Sequence, residues 1–381
     1  MEGPALIAGG GIAGLTLALA LARRGRPSRL FERAPALEAT GAGVQLSPNA
    51  GRILEALGLG PALDAIATRP EAVSIVDAPS GRRLKRITFG ALAERRWGAP
   101  YRVLHRADLQ AALLEAIAAA GAVEITLGAE LRDMRETADG VAIDIAHATG
   151  GGETVEGGWL AGADGLRSVV RRAVKLPTSV GGSALKAWRA VLPASALPTA
   201  FDMAEVTLWL GPGAHLVVYP VRKGREANVV VIGDDRAAGP AELAASWAAP
   251  ARELIAAGPA WTPWPLHDRP PDARMHRGRI ALVGDASHAA LPALAQGAGF
   301  AIEDAAVLAR LVASDIADPF AAYQSARLMR VARMQTQARK QMRIDHLSGL
   351  AAMARNAALA AAPEAALRRG LDWIYGWRDQ G

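Results

Sequence analysis

The stretch Ala5-Leu6-Ile7-Ala8-Gly9-Gly10-Gly11-Ile12-Ala13-Gly14 limits what this chain can fold into more than any other. Its apolar start reads as a short buried strand, Gly9, Gly11 and Gly14 fall on a G-x-G-x-x-G spacing, and residues 12–24 read as a helix ended by Gly25. Strand, tight turn and helix make one βα unit. Gly9 permits the turn, Gly11 lets a pyrophosphate approach the backbone, and Gly14 lets helix and strand pack closely; the unpaired N–H groups where the helix opens, at Ile12 and Ala13, face the anion. A second strand over residues 28–31 ends at Glu32, followed by Arg33. Glu32 falls within the roughly 20-residue spacing that brings a carboxylate to an adenosine ribose. Glycine-rich turns also arise for structural reasons alone, but strand, helix and acid together point to a bound dinucleotide, whose type these residues leave open.

The whole chain is consistent with such a cofactor. Its 381 residues suit two domains or one domain with a large insertion, and 51% hydrophobic against 21% charged residues describes a globular protein. No apolar run reaches the roughly 18 residues that span a bilayer. Residues 12–22 have the length of a signal-peptide core, but they follow Glu2 and a glycine turn and lack a basic start, so a cytoplasmic protein is expected. The absence of cysteine removes disulfides, iron–sulfur clusters, haem-thiolate chemistry and thiol nucleophiles, so any redox chemistry needs a borrowed cofactor. Seven scattered histidines with no H-E-x-x-H give no protein-bound metal. A net charge of +6, spread along the chain without a nucleic-acid module, suits small anionic ligands and an ordinary solvated surface.

Beyond the first unit, residues 38–49 read as a loop and residues 50–59 as a helix. Residues 73–76 and 83–89 read as a strand hairpin about Pro79-Ser80-Gly81, and His105-Arg106-Ala107-Asp108 leads into a helix over residues 109–120 closed by Gly121. Strands are expected at 124–127, at 141–145 and at Trp159-Leu160-Ala161-Gly162, the last running into Asp164-Gly165. From 177 to about 271 the texture changes to short strands (205–210, 215–220, 228–232) with frequent Pro and Trp, the pattern of an inserted antiparallel sheet. An apolar strand at 279–283 ends at Gly284-Asp285, a loop runs to Gly299, and a helix follows over residues 300–312. Nearly everything after Asp318 reads as helix, and its basic stretch 327–343 reads as a solvated face, with a partner or membrane contact as the alternative.

With Asp164-Gly165 and Gly284-Asp285 in view, the chain resembles the single-component FAD-dependent aromatic hydroxylases, flavoprotein monooxygenases related to salicylate, 3-hydroxybenzoate and 6-hydroxynicotinate hydroxylases. The resemblance spans roughly residues 5–313 and rests on ordered motifs: Gly9 to Gly14 with Glu32; Gly162-Ala163-Asp164-Gly165-Leu166-Arg167-Ser168; and Arg279-Ile280-Ala281-Leu282-Val283-Gly284-Asp285-Ala286-Ser287-His288. The last continues through Leu291-Pro292-Ala293-Leu294-Ala295-Gln296-Gly297-Ala298-Gly299 to Glu303-Asp304. It implies an α/β fold: a Rossmann-like FAD-binding domain (1–72, 98–176 and 272–317), an inserted antiparallel β-sheet substrate domain (73–97 and 177–271) and a helical C-terminal region (318–381).

In this family Asp285 would hold a ribitol hydroxyl of FAD, with a helix cap as its structural alternative. Arg106 would reach the FAD phosphate or ribityl region, and Asp164 would serve both FAD and the pyridine nucleotide; a salt bridge is the plain alternative for either. The helix near Gly299, with Pro292 and the backbone of Gly297, Ala298 and Gly299, would meet the flavin N1 and C2 carbonyl. NADH or NADPH would visit as a transient donor, O2 would add at the flavin C4a, and the hydroperoxide would attack an electron-rich ring. His215 and Tyr219, four apart on one strand face, are the expected catalytic and substrate-orienting pair, with Gln296 a third polar contact. Sheet-edge capping is the structural alternative for the pair. Gln45, Ser47 and Pro292 are expected to border a small aromatic acid. Ala295 stands where many relatives have Gly, which resembles the branch acting on substituted pyridines, and Trp261 and Trp264 are read as packing. The implied partners are that acid and O2, with no nucleic acid and no membrane span, in a monomer or homodimer. An oxygen-independent flavin reductase or dehydrogenase on the same fold, or a noncatalytic flavin-binding protein, are the rival readings.

Overall fold

The computed structural model describes residues 3–37, 43–271 and 274–379. Two sheets set the architecture. In the first, strands Ala5–Ala8, Ser28–Glu32, Val123–Leu127, Trp159–Gly162 and Ile280–Leu282 run parallel, with Ala5–Ala8 in the middle of the sheet and the two-residue strand His276–Arg277 antiparallel at the edge. Ala5–Ala8 is buried throughout, as its unbroken apolar run requires in a sheet covered on both faces. Helix Ile12–Ala22 packs between Arg106–Ala120 and Gly297–Val312. The register pairs Ala8 with Gly162 and Gly162 with Leu282, so the carboxyl ends that lead to Gly9, Asp164 and Asp285 open on one edge. That edge is where an open α/β sheet binds ligands.

The second sheet has seven strands and takes in both 73–97 and the stretch after 177: Thr262–Asp268, Gly181–Pro193, Glu226–Asp234, Ala214–Val221, Glu205–Gly211, Ala72–Asp77 and Arg83–Thr88, in that order. All its pairs are antiparallel except Glu205–Gly211 with Ala72–Asp77. Alternation gives it two different faces. Leu216, Val218, Val229, Val231 and Trp209 point outward and are sealed by the segment carrying Trp247 and Leu254. The other face turns toward the first sheet.

Elsewhere the sequence reading needs correction. A three-stranded sheet, Ala129–Glu136, Val141–His147 and Gly152–Gly157, surrounds the expected strand at 141–145. Within the expected loop at 38–49, Gly43–Leu46 is a strand paired with Arg102–His105, while residues 38–42 lie outside the described residues. The basic stretch on helix Pro319–Asp345 is not simply a solvated face: Arg327 is fully buried, its guanidinium paired with Glu303 and Asp304. No helix among the described residues is long and apolar enough to cross a membrane.

Candidate active site

The glycines of the first turn divide by what surrounds them. Gly9 has φ +109°, and a Cβ there would lie 2.4 Å from the Ala163 carbonyl oxygen; one on Gly14 would lie 1.9 Å from the Gly9 carbonyl oxygen. Both glycines are therefore demanded by the protein's own backbone. Gly11 is different: a Cβ there meets nothing within 4 Å. The space over Gly11 is free for a ligand to approach the backbone, which is the cradle a pyrophosphate needs.

The helix beyond it, Ile12–Ala22, has no side-chain cap and no acidic residue in its first turn, so its leading N–H groups remain free for an anion. Glu32 braces the turn, Oε2 accepting from the Gly10 amide at 2.6 Å and Oε1 from Ala34 at 2.9 Å. A carboxylate has lone pairs to spare for a ribose hydroxyl. Arg33 beside it is exposed. Gln110 donates to the Gly10 carbonyl at 3.0 Å, and Arg106, one helical turn earlier on the same face, is exposed and carries no ion pair among the described residues.

At the second strand end, Asp164 shares the capping of helix Val169–Ala173 with the N-cap Ser168, which accepts from Arg171: the Asp164 Oδ2 accepts from Val169 at 2.7 Å and Val170 at 3.1 Å. Its Oδ1 is buried without a partner, and burial pushes the carboxyl up, against the hydrogen bonds from Ser168 and these amides. At the third strand end, Gly284 has φ +59° and sits between Ala13 and Ala301, where a Cβ would come within 3.2 Å of each of their Cβ atoms. The next residue, Asp285, is exposed among buried neighbours at 281–284 and 286–289, so its carboxylate faces the opening.

Helix Gly297–Val312 begins at the same opening, again with no side-chain cap and no acid in its first turn, and a Cβ on Gly297 would meet nothing. Ala295 just before it holds φ +51°, a left-handed backbone that glycine adopts without strain. Pro292 opens a half-buried 3₁₀ turn, and Ala298 packs against the main core.

Gln296 and Ser47, read separately from the sequence, are brought together: Gln296 Nε2 donates to Ser47 Oγ at 2.9 Å and its Oε1 accepts from Asn49 at 3.2 Å. Behind them Asn49 donates to Glu303 at 2.7 Å, and Glu303 takes hydrogen bonds of 2.7 Å from Arg327 and Arg330. Asp304 closes the network with Arg327, His288 and the Gly284 amide. Burial alone would raise Asp304, but His288 and Arg327 bring it down to about 2. This chain of contacts fixes both Gly284 and the start of the Gly297 helix. Asn49, Glu303, Asp304, Arg327 and Arg330 were missed as site-supporting residues; two adjacent acids in the otherwise apolar run 300–312 were the available signal. Gln45 lies apart from Gln296, accepting from the Tyr101 hydroxyl.

His215 and Tyr219 share the inner face of the large sheet, as their spacing requires, and both are buried. Strand Gly43–Leu46 lies flush on Tyr219: a Cβ on Gly43 would come 2.5 Å from the Tyr219 ring. Burial pushes the Tyr219 hydroxyl well up, opposed by Arg189 and Asn228. His215 Nδ1 lies 2.8 Å from His346 Nε2, a partner nothing in the sequence links to it. Burial and His346 pull His215 down to about 3, and burial with Arg355 pulls His346 down to about 4. Both imidazoles are therefore neutral at neutral pH. Trp261 packs against the outer core, whereas Trp264 is 49% exposed under the Arg189 guanidinium, so packing describes only the first. No group of three or more metal-ligating side chains occurs among the described residues.

The open space over Gly11, two uncapped helix starts and an exposed strand-end carboxylate at one sheet edge fit FAD. Comparison with known proteins agrees. Residues 2–338 match the family described as FAD binding domain. The chain is 34% identical to a 3-hydroxybenzoate 6-hydroxylase of Klebsiella oxytoca, over 98% of this chain and 97% of that one. It is 37% identical to a 3-amino-4-hydroxybenzoate 2-monooxygenase of Streptomyces cremeus, over 90% and 87%. Among solved structures, Klebsiella pneumoniae HpxO complexed with FAD and uric acid superposes with a TM-score of 0.84 at 25% identity, covering 97% of this chain and 95% of the other. The chain therefore belongs to the FAD binding domain family and, within it, to the FAD-dependent monooxygenases of the aromatic hydroxylase type.

Proposed function

We propose that the protein uses NADH or NADPH to hydroxylate a small phenolic or hydroxypyridine carboxylic acid, bound between the start of the Gly297 helix and the inner face of the large sheet. The observation that carries this reading is the pairing on that face of a neutral imidazole and a neutral phenol, His215 and Tyr219, four residues apart on one strand. The discontinuous cofactor domain (1–72, 98–176, 272–317), the sheet domain (73–97, 177–271) and the helical region 318–381 supply its two walls and their brace.

Bound FAD would accept electrons from the nicotinamide donor and supply the activated oxygen. Gly9, Gly11, Ile12, Ala13 and Gly14 would hold its pyrophosphate, Glu32 and Arg33 its adenosine end, and Arg106, Asp164 and Asp285 its phosphate and ribityl span. Pro292 and the backbone of Gly297, Ala298 and Gly299 would border the ring.

His215 would accept a hydrogen bond from the substrate hydroxyl through Nε2, its Nδ1 being committed to His346. With its imidazole near 3 and a phenol near 10, full proton transfer to His215 is disfavoured by several pH units. Its task is polarising and orienting the hydroxyl, which raises the electron density of the ring without the imidazole holding the proton. Tyr219, kept protonated, would donate a hydrogen bond to the substrate. Ser47 and Gln296 fix the helix start, and Gln45 and the strand Gly43–Leu46 shut water out over Tyr219.

The test is oxidation of NADH and NADPH, in air and anaerobically, with a panel of hydroxybenzoates and hydroxynicotinates and products identified by mass. Substrate-stimulated oxygen consumption giving a product one oxygen heavier supports the reading. Anaerobic reduction of the substrate would instead make the protein a reductase, and no turnover with a flavin-loaded protein would make it a binding protein.

A further inference from the structure

On the inner face of the large sheet, four residues stand opposite one another across four strands: Arg189 pairs with Val230, Val230 with Val217, and Val217 with Leu208. Partners in register share a face, so these side chains form one row. Within their own strands, Leu208 and Val217 are the single residues that are not buried, and Val230 is the single such interior residue. The same-face rows on either side, holding His215 with Ile232 and Tyr219 with Asn228, are buried. A row left open between two sealed rows is a trough. Its floor is aliphatic, and His215 and Tyr219 form its two banks.

Arg189 stands at the end of this trough. Its backbone lies two strand spacings, roughly 10 Å, from that of Val217, the scale of a single-ring acid laid across Val230 and Val217. Its guanidinium has no hydrogen bond or ion pair among the described residues, its Nε is buried without a partner, and it lies over the face of Trp264 at 5.9 Å. Arg189 is half-buried, and the arginines buried more deeply are all engaged: Arg102 with Glu55 and Asp64, Arg171, Arg269 and Arg355 with backbone carbonyls, and Arg327 with Glu303 and Asp304. Arg106 adds a second positive charge near Arg189 rather than relieving the first, and Tyr219 is close enough to feel it. A desolvated cation without a counter-ion is costly, and a ligand anion removes that cost.

We propose that Arg189 is the carboxylate anchor of the substrate and so selects aromatic acids over neutral phenols, holding the ring on the Val217 and Val230 floor with its hydroxyl toward His215. This rests on the functional reading above. The experiment uses the FAD-loaded protein and measures dissociation constants from the change in flavin absorbance, without turnover. The probes are pairs differing only in carboxylate against carboxamide: 3-hydroxybenzoate, salicylate and 3-amino-4-hydroxybenzoate, each with its amide. For at least one pair the wild-type protein should prefer the acid by ~30-fold or more, the lower end for a desolvated charge pair. Arg189→Gln should reduce that preference to within about threefold by weakening the acid alone, with FAD content unchanged. Arg189→Lys, which keeps the charge but not the planar fork, should fall between the two, and it carries the test if the glutamine variant is poorly folded. A preference that survives in Arg189→Gln, or in a poorly folded case an undiminished preference in Arg189→Lys, overturns the anchor while leaving the hydroxylase reading intact. Loss of FAD from folded variants assigns Arg189 to the cofactor and overturns it as well. If neither member of any pair binds the wild-type protein, the functional reading falls and the anchor with it.

Discussion

The two walls of the crevice are built on different principles. On the glycine side the ligand meets backbone: the opening over Gly11, the free N–H groups of helix Ile12–Ala22 and the bare start of helix Gly297–Val312. On the sheet side it would meet side chains, with His215, Tyr219 and Arg189 set around an aliphatic floor by cross-strand register. The contrast teaches that cofactor and substrate recognition answer to different constraints. A backbone cradle tolerates few residues at fixed positions. A sheet face accepts any side chain that suits its ligand, so specificity can change there without disturbing the flavin.

The largest effect should come from Gly14→Ala. The new Cβ falls 1.9 Å from the Gly9 carbonyl oxygen, and a clash between two backbone segments cannot relax through a rotamer. We expect loss of several kcal/mol of stability and recovery of little folded protein, read by urea denaturation; a Gly14→Ala protein as stable as wild type would break the account of this wall. Next comes Arg327→Met, which removes the buried cation shared by Glu303 and Asp304 and leaves Glu303 with Arg330 and Asn49 and Asp304 with His288 and the Gly284 amide. Removing one partner of a buried network costs about 3–5 kcal/mol, and because that network also holds Asn49 and Gln296, flavin affinity should fall together with stability. On the opposite wall, His215→Asn and Tyr219→Phe should each lower substrate-stimulated turnover by about 100-fold or more with little change in flavin content; unchanged turnover in both would leave that face merely structural.

The smallest effect is in pH dependence. Burial raises Asp345 to about 7, against Gln341 and Arg355, whereas an unfolded aspartate ionises near 4. Between these values the folded state holds the extra proton, so this group's contribution to stability falls as pH rises from about 4 to about 7 and is level above that. The neutral His215–His346 pair acts in the opposite sense, its contribution being lost as pH falls below about 6.5. Comparing Asp345→Asn with wild type isolates the first effect: the variant should gain up to about 4 kcal/mol relative to wild type between pH 4 and pH 8. A constant difference across that range would contradict the assignment.

The glycine wall was legible in the sequence because its constraints are local. Gly9, Gly11, Gly14 and Glu32 lie within one βα unit, and their spacing is the geometry itself. Gly284-Asp285 was legible for the same reason, as an apolar strand ending in a polar pair. The sheet wall was only partly legible. The period of two put His215 and Tyr219 on one face, but register between strands is not written locally, so the row joining Arg189 to Val217 and the contact of His215 with His346 stayed hidden. The arginines of helix Pro319–Asp345 misled because positions 327, 330 and 333 follow the spacing of an exposed stripe. What buries Arg327 is the acid pair Glu303-Asp304 on another helix. Asp164 was read by its motif, and its structural duty, capping the short helix after it, emerges only from the hydrogen bonds.

The division of labour between the walls is tested most directly by the flavin retained per chain after purification, compared between Gly11→Ala and the double variant His215→Asn/Tyr219→Phe. Gly11→Ala introduces no clash within the protein, so it should fold as wild type yet lose FAD, while the double variant should keep a full complement. Full flavin in a folded Gly11→Ala protein, or flavin lost from a folded sheet-side variant, would contradict it.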